Sequence, residues 1–236
     1  MSYTLAIADR AYSSWSLRGW LMFARFDLPV TVETGRLYSS ELPALLQRYG
    51  AARTVPALRV AEDGREWAVW DSLAIAETLA ERHPDAGHWP ADAAARGLAR
   101  ALVAEMHAGF TALRSACPMN LRRAYVGFEP SDEVLADLDR IEALWRTARG
   151  AGLSRSPDPG PWLFGAYTLA DVFFAPVAAR IATYELPVEA DAAAYVAAHL
   201  AEPRFLEWRA LALADPVELD HYDLDLPEVP WRGPLA

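Results

Sequence analysis

The sequence contains no lysine, only one cysteine, and no apolar run near the roughly 18 residues that a membrane-spanning helix needs. All 22 of its strong cations are therefore arginines, set against 32 aspartates and glutamates for a net charge of -10. This acidic balance argues against binding to nucleic acid or to an anionic membrane, because both need a cationic protein surface. The first residues show no basic segment followed by a long apolar one, so we expect no signal peptide and a cytoplasmic location.

The single cysteine, Cys117, excludes an intramolecular disulfide and a dithiol redox centre. No cysteine or histidine motif has the spacing of metal ligands, so we expect no metal. Apolar residues make up 53% and charged residues 23% of the 236 positions, which is typical of a folded globular protein with one or two domains.

The first third of the chain alternates between strand and helix patterns. The apolar run at 3–8 and the stretch from Val30 to Thr34 predict two strands. The helical stripe between them, from Leu17 to Ala24, predicts a parallel crossover. The further elements predicted here are a helix from Ser40 to about Tyr49, strands at 55–60 and 66–70 around an Asp63-Gly64 turn, and a helix from Ser72 to about His83.

Beyond His83 the pattern becomes helical, and we predict no further strand. The helices predicted there are one from about Leu98 to the break at Pro118, one from near Ser131, and others at 169–184, 190–200 and 203–213, with a loop at 150–161. A proline-rich acidic tail follows from Asp215. We therefore predict an α/β domain at 1–83, a linker at 84–90, and an all-helical domain with an extended tail at 91–236.

Three stretches of the first domain are candidates for chemistry, and each also has an ordinary structural explanation. A hydroxyl of Ser13-Ser14-Trp15-Ser16, at a helix N-terminus, could donate to an anion such as a thiolate, or could only cap the helix. A cis bond at Val55-Pro56 would free the Val55 backbone to pair with an extended peptide, whereas a trans proline would simply open a strand. Asp71 and Ser72 could bind a ligand carboxylate and ammonium at the next helix N-terminus, or only cap that helix.

These three stretches, in this order and followed by a helical region, resemble the glutathione transferase family. The resemblance extends from "YTLAIADRAYSSWSLRGWL" through "RTVPAL" and "WDSLAIAETLAERHP" to "LFGAYTLADVFFAPVAARI", nearly the whole chain. It is strongest to the serine-type, zeta-like bacterial branch, the relatives of maleylacetoacetate isomerases. The resemblance implies a thioredoxin-like N-terminal domain, an all-helical C-terminal domain, glutathione as co-substrate, no metal, and assembly as a homodimer.

The resemblance also implies roles for individual residues of the first domain. Ser13, with Ser14 as the second candidate, would donate to the glutathione sulfur. Val55 would pair with the cysteinyl backbone of glutathione, while Asp71 and Ser72 would hold its γ-glutamyl end. The other residues that the resemblance assigns to glutathione binding are Trp15, Arg18 and Pro56.

In the second domain the resemblance implies a pocket for the acceptor substrate in "EMHAGFTALRSACPMNLRR". The candidates are His107, Phe110, Arg114, Met119 and Asn120. We interpret Arg123 as a solvated charge, and leave open whether Arg180 and Tyr184 face this pocket. In "YTLADVFF", Thr168 and Asp171 have the spacing of a capping box, so Asp171 is predicted to be structural.

The predicted function is that of a glutathione transferase, which activates the glutathione thiol for attack on a small electrophile. One alternative is a glutathione-dependent isomerase like the maleylacetoacetate isomerases; another is a glutathione-binding module without catalysis. Two departures weaken the isomerase assignment. Trp15 stands where those isomerases have a cysteine, and the arginine of their later motif falls on Thr183, whereas this chain has Arg180.

Overall fold

The computed structural model describes residues 1–151 and 160–235. These residues group into two compact units, Met1–His88 and Trp89–Ala236, here called the N-terminal unit and the helical unit. The division falls inside the segment 84–90 that the sequence marks as a linker. The predicted loop at 150–161 falls largely on residues 152–159, which lie outside the described residues.

The N-terminal unit is built around a mixed sheet with helices on both faces. Its elements are β1 (Ser2–Ile7), α1 (Ser14–Ala24), β2 (Thr31–Thr34), α2 (Glu41–Leu46), β3 (Ala57–Glu62), β4 (Arg65–Trp70), α3 (Ser72–Arg82) and a 3₁₀ turn (Pro84–Ala86). The strand order is β2-β1-β3-β4, with β1 parallel to β2 and antiparallel to β3. The predicted parallel crossover is therefore confirmed, and the unit has the expected thioredoxin-like arrangement.

Strand β1 reads as a continuous apolar run because both of its faces are covered. Ala6 packs with Leu45, Leu46 and Tyr49, in and just after α2. Leu5, on the opposite face, lies beneath α1. Helix α2 ends at Leu46 rather than at the predicted Tyr49, and the chain then turns through residues 47–51.

The hairpin between β3 and β4 is the one that the sequence predicts. Asp63 and Gly64 both have positive φ, 50° and 75°, as a two-residue type I′ turn requires. Strand β3 begins at Ala57 rather than at Val55, directly after Pro56, which has no N–H to donate to a ladder.

The helical unit is built around one central helix, Leu169–Tyr184, which is buried along its whole length. Its elements are α4 (Ala93–Ala108), α5 (Thr111–Ala116), β5 (Ala124–Tyr125), α6 (Asp132–Gly150), α7 (Leu169–Tyr184), α8 (Ala190–Leu200), α9 (Pro203–Ala214), a 3₁₀ turn (Asp220–Tyr222) and β6 (Glu228–Val229). Every residue of α7 is buried, so its sequence is apolar on all sides rather than along one stripe. The predicted capping box is confirmed: Asp171 accepts from the Thr168 N–H at 2.8 Å.

Two predictions for this unit are wrong. The helix expected from Leu98 towards Pro118 is broken at Gly109-Phe110, where Phe110 takes a left-handed conformation with φ 57°. Strands also occur after His83, because β5 pairs antiparallel with β6. Each of these strands has two residues, too few to produce an alternating pattern in the sequence.

The tail, residues 215–235, is fixed to the helical unit rather than loosely attached. Arg232 donates to the backbone oxygens of Tyr125 at 2.6 Å and Ala182 at 2.7 Å. The Arg209 guanidinium lies 4.4 Å from the centre of the Trp231 ring. Together with the β5–β6 pairing, these contacts join the tail to α9, to α7 and to β5, the last about a hundred residues earlier in the chain.

Candidate functional site

Ser13 is the N-cap of α1 and lies just after the end of β1. Its Oγ accepts from the Ser16 N–H at 3.2 Å and lies 2.7 Å from Ser16 Oγ. Its own N–H donates to the backbone oxygen of Asp9 at 2.9 Å. Ser13 therefore caps α1, as the structural explanation predicts. Its donation to a thiolate stays a prediction. The two are compatible, because a hydroxyl can accept from the helix while donating elsewhere.

The neighbouring residues put positive charge near the same helix end. Ser14 and Trp15 open α1 and are half-buried, and Arg18 follows one turn later with 2% exposure. The Arg18 guanidinium lies 4.5 Å from the centre of the Trp15 ring, a cation–π contact. A buried guanidinium adds to the positive end of the helix dipole, so this region favours an anion.

Asp9 also belongs to this region, although no motif in the sequence marks it. Its carboxylate is almost fully buried and accepts from Arg36 Nη1 and from the Leu37 N–H, both at 2.7 Å. Its backbone oxygen accepts from the N–H groups of Tyr12 and Ser13. Asp9 thus ties the loop that carries Ser13 to the segment after β2. The signal that could have revealed it is a lone carboxylate directly after an apolar strand.

The Val55-Pro56 bond is cis, as the functional interpretation of "RTVPAL" requires. Pro56 is buried beneath α1, where a β-carbon added to Gly19 would lie only 2.6 Å from its Cβ. Val55 is half-buried and precedes the first ladder residue, Ala57. Its backbone has no hydrogen-bond partner in the part of the chain that the structure describes. The pairing of Val55 with an extended peptide stays a prediction.

Asp71 and Ser72 lie where β4 turns into α3. Asp71 is exposed and accepts from the Leu73 N–H at 2.8 Å, so it caps the helix. Its backbone has φ 75° and ψ 131°, a conformation that costs a non-glycine residue about 1–3 kcal/mol and is concentrated at functional sites. Ser72 is the first residue of α3 and is buried.

The register of the sheet brings these three stretches to one end. Ala6 lies opposite Ala57, and Ala57 lies opposite Trp70. The end of β1, the start of β3 and the end of β4 are therefore neighbours, and adjacent strands are about 4.8 Å apart. Ser13 lies in the loop and helix start that follow β1, Val55 precedes β3, and Asp71 directly follows β4. The N-terminal unit thus assembles two helix N-termini and a free backbone edge in one region.

The residues predicted for the acceptor pocket divide into two groups. His107 and Arg114 are half-buried, and the Arg114 Nη1 donates to the Gly109 oxygen at 3.1 Å. Phe110, Met119 and Asn120 are buried. Asn120 Nδ2 donates to Asp223 Oδ1 at 2.9 Å, so this amide holds the tail. The assignment of these residues to a pocket stays a prediction.

Arg123 is not the solvated charge that the sequence suggested. It forms ion pairs with Asp223 at 2.9 Å, with Glu218 at 3.0 Å and with Glu228, all in the tail. The sequence near Arg123 does not indicate these ion pairs, because the three carboxylates lie about a hundred positions further along the chain. Arg123 therefore fastens the tail to the segment before β5.

Arg180 and Tyr184 both hold the segment that follows α5. Arg180 Nε donates to the Cys117 oxygen at 2.8 Å, and the Tyr184 hydroxyl donates to the Pro118 oxygen at 2.7 Å. Burial, with the nearby Arg114, lowers the pKa of Arg180 to about 10, so it is still a cation at neutral pH. Burial raises the pKa of the Cys117 thiol to about 12, so this cysteine is protonated and is not a nucleophile.

Within the described ranges, no group of three or more histidine, cysteine, aspartate or glutamate side chains is arranged to hold a metal ion. Among the helices of those same ranges, none has the length and apolar character needed to cross a membrane.

The family model of the glutathione S-transferase N-terminal domain matches residues 12–82. These residues include Ser13, Val55-Pro56 and Asp71-Ser72. Comparison with curated protein sequences finds no significant match.

Solved structures resemble the chain over most of its length. A glutathione transferase homologue from Burkholderia GL BGR1, with bound glutathione, is 22% identical and covers 91% of this chain and 99% of its own, with a TM-score of 0.63. Glutathione transferase Omega 2S from Trametes versicolor, in complex with 2,4-dihydroxybenzophenone, is 20% identical over 91% and 98% of the two chains, with a TM-score of 0.65.

A third similar structure is the maleylacetoacetate isomerase from Anaeromyxobacter dehalogenans 2CP-1, with bound glutathione in its active site. It is 23% identical and covers 96% of this chain and 98% of its own, with a TM-score of 0.57. At these identities the likeness establishes a common fold. Residues 12–82 therefore match a glutathione S-transferase N-terminal domain, and the chain shares its fold with these glutathione transferase and isomerase structures.

Proposed function

We propose that the protein is a glutathione transferase that activates the glutathione thiol for attack on a small electrophile. The observation that carries this proposal is the convergence of Ser13, Val55 and Asp71-Ser72 at one end of the sheet. Each of these stretches offers hydrogen-bonding groups to a different part of glutathione. The structures of a glutathione transferase homologue and of a maleylacetoacetate isomerase with bound glutathione support the choice of ligand.

In this proposal the γ-glutamyl end of glutathione binds at the start of α3. The first backbone N–H groups of α3 and the Ser72 hydroxyl donate to the γ-glutamyl carboxylate. Asp71 faces the γ-glutamyl ammonium group. The Val55 N–H and C=O pair with the cysteinyl backbone as one more strand would. The sulfur then lies beside Ser13, at the positive end of α1. Trp15 and Arg18 complete the glutathione-binding set, with Ser14 as the second candidate for the thiolate partner.

Thiolate stabilisation alone gives a modest gain in rate. A thiol with a pKa near 8.5 is about 3% ionised at neutral pH, and lowering its pKa by about 2 units makes it mostly thiolate. That is a gain of about 25-fold in reactive species, but a less basic thiolate is also a weaker nucleophile, which takes back about eightfold. The remaining gain is about threefold. Most of the acceleration must therefore come from holding the electrophile near the sulfur.

The helical unit is proposed to supply the pocket for the electrophile. Of its candidates, His107 and Arg114 retain exposed surface, whereas Asn120 is engaged with the tail. The protein is further proposed to be cytoplasmic and to work as a homodimer. A glutathione-dependent isomerase is the alternative, supported by the likeness to the Anaeromyxobacter enzyme. Against it, the buried Thr183 donates to the Asn120 oxygen where those isomerases present an arginine.

The test compares Ser13→Ala with Ser131→Ala. Both serines are helix N-caps, so both changes remove a cap of similar strength, but Ser131 caps α6 in the helical unit. Calorimetry should show that glutathione binds the parent protein. Ser13→Ala should then lower conjugating activity at least about tenfold, while Ser131→Ala keeps it. Activity of Ser13→Ala equal to the parent would pass the role to Ser14, and absence of glutathione binding would overturn the proposed function.

A screen of the parent protein with aryl halides, epoxides, peroxides and maleyl compounds separates the transferase from the isomerase. Turnover of a maleyl compound without net consumption of glutathione would favour the isomerase. Conjugate formation with consumption of glutathione supports the transferase.

A further inference from the structure

Two serine hydroxyls at the start of α1 are in direct contact, and their surroundings decide which one donates. Ser13 Oγ and Ser16 Oγ lie 2.7 Å apart, and the distance alone allows either direction. Ser13 Oγ also accepts from the Ser16 backbone N–H at 3.2 Å. Ser16 Oγ accepts from the backbone N–H of Ala8, just after β1, at 2.8 Å.

The direction follows from counting hydrogens. A serine hydroxyl has one hydrogen to donate and two lone pairs to accept with. If Ser13 donated to Ser16, the Ser16 hydrogen would need a further acceptor, and the described residues offer it none. Ser16 is fully buried, so water cannot serve instead, and an unpaired buried hydroxyl is costly. Ser16 is therefore the donor, and the hydrogen of Ser13 is directed away from it.

We propose that Ser16 is a positioning residue for glutathione activation: it donates to Ser13 and thereby directs the Ser13 hydroxyl hydrogen to the glutathione sulfur. The inference rests on the proposed function. The hydrogen bonds then run in one sense, from the Ala8 N–H to Ser16, from Ser16 to Ser13, and from Ser13 to the sulfur. Ser13 keeps 7% exposure for this last contact, whereas Ser16 has none and acts only through Ser13. Because successive hydrogen bonds polarise one another, Ser16 also makes Ser13 a stronger donor.

The test uses a pair of variants that differ only in the hydroxyl. Ser16→Thr keeps the group, and Ser16→Val has the same shape without it. The pKa of bound glutathione is measured from the ultraviolet absorbance of its thiolate during a pH titration. We expect Ser16→Thr to match the parent, and Ser16→Val to raise the thiol pKa by about 0.5–1 pH unit. If the branched side chains prevent folding, Ser16→Cys and Ser16→Ala make the same comparison, because a thiol is still a weak donor.

The same pair in a Ser13→Ala background shows whether Ser16 acts through Ser13. There the two variants should give the same thiol pKa, as a double-mutant cycle requires. If Ser16→Thr and Ser16→Val give equal thiol pKa values while Ser13 is intact, the inference is overturned. Ser16 would then serve only as the acceptor for the Ala8 N–H. A difference that persists without Ser13 would overturn it as well. If the parent does not bind glutathione, or does not lower its thiol pKa, the proposed function itself fails.

Discussion

Tyr195 donates its hydroxyl hydrogen to Asp171 Oδ1 at 2.9 Å and so joins α8 to the first turn of α7. Asp171 is fully buried and also accepts from the backbone N–H groups of Thr168 and Leu163. Its removal would leave several buried donors unpaired. We expect Asp171→Ala to lower the free energy of unfolding by at least about 2 kcal/mol in urea titrations.

Ser131→Ala serves as the comparison for this prediction, because it removes a more accessible N-cap and should cost only about 1 kcal/mol. Tyr195→Phe should cost a similar amount, since it removes one donor and keeps the ring. An equal loss in Asp171→Ala and Ser131→Ala would show that the buried network adds nothing to an ordinary cap.

His199 should make the stability of the protein depend on pH. Burial lowers its pKa to about 3, and Arg149 acts in the same direction, while the surrounding rings belong to Trp162, Tyr167 and Tyr195. The unfolded chain takes up a proton at this histidine below about pH 6.5, and the folded chain does so only near pH 3. Stability is therefore lost as the pH falls through this interval, by up to about 1.4 kcal/mol per unit.

The measurement is the free energy of unfolding of the parent and of His199→Phe at about pH 7 and about pH 5. Phenylalanine fits an aromatic site and cannot bind a proton. The variant should therefore gain stability relative to the parent at the lower pH. Carboxylates titrate in both proteins and cancel in the comparison, so an unchanged difference would contradict the burial of a neutral His199.

Gly19 is expected to control the position of Pro56. A β-carbon at Gly19 would lie 2.6 Å from the Pro56 Cβ, closer than such atoms approach in proteins. Gly19→Ala must therefore displace Pro56 and with it the neighbouring Val55 backbone. We expect lower thermal stability and, because Val55 is proposed to pair with glutathione, weaker glutathione binding by calorimetry.

Gly97 provides a matched control, since it is exposed within α4 and a β-carbon there meets nothing within 4 Å. Gly97→Ala should raise the free energy of unfolding by about 0.5–1 kcal/mol through helix propensity, without changing glutathione affinity. Unchanged stability and affinity in Gly19→Ala would contradict the close packing of α1 on Pro56.

Arg123 should hold the tail in place. Its side chain is 26% exposed and pairs with Asp223, Glu218 and Glu228, and such a network contributes more than an isolated surface pair. Arg123→Met should lower the free energy of unfolding by about 1 kcal/mol and make the tail more susceptible to limited proteolysis. High salt should reproduce part of this effect in the parent.

The control for the tail is Arg140→Met, which removes a well-formed but exposed ion pair with Glu105. It should leave the proteolysis pattern of the tail unchanged. Equal proteolysis of the parent and Arg123→Met would mean that β5–β6 pairing and Arg232 are sufficient to hold the tail.

Local features of the sequence predict most elements of both units, whereas the strand pairing that they miss is non-local. Apolar periodicity, the Asp63-Gly64 turn and the Thr168/Asp171 capping box each depend on a few neighbouring residues, and each is confirmed. The pairing of β5 with β6 depends on chain segments about a hundred residues apart, and a two-residue strand carries no periodicity.

The candidate site shows the same limit. The residues of the glutathione-binding stretches can be named from motifs, but the donor direction of Ser13 depends on how Ser16 meets Ala8 in the folded unit. The contacts of Asp9 cannot be predicted from nearby residues because its partners, Arg36 and Leu37, follow a different strand. The ion pairs of Arg123 are equally hidden, because its carboxylate partners lie about a hundred residues further along the chain.

The pairing of β5 with β6 bears on the order in which the two units are completed during synthesis. The ribosome releases the chain from its N-terminus, and domains fold as they emerge. The N-terminal unit has all of its strands once residue 88 is free. The helical unit instead exposes the edge of Ala124–Tyr125 until Glu228–Val229 have been translated. For that interval the nascent protein presents an unpaired strand, and premature termination of translation within the tail would leave it permanently uncovered.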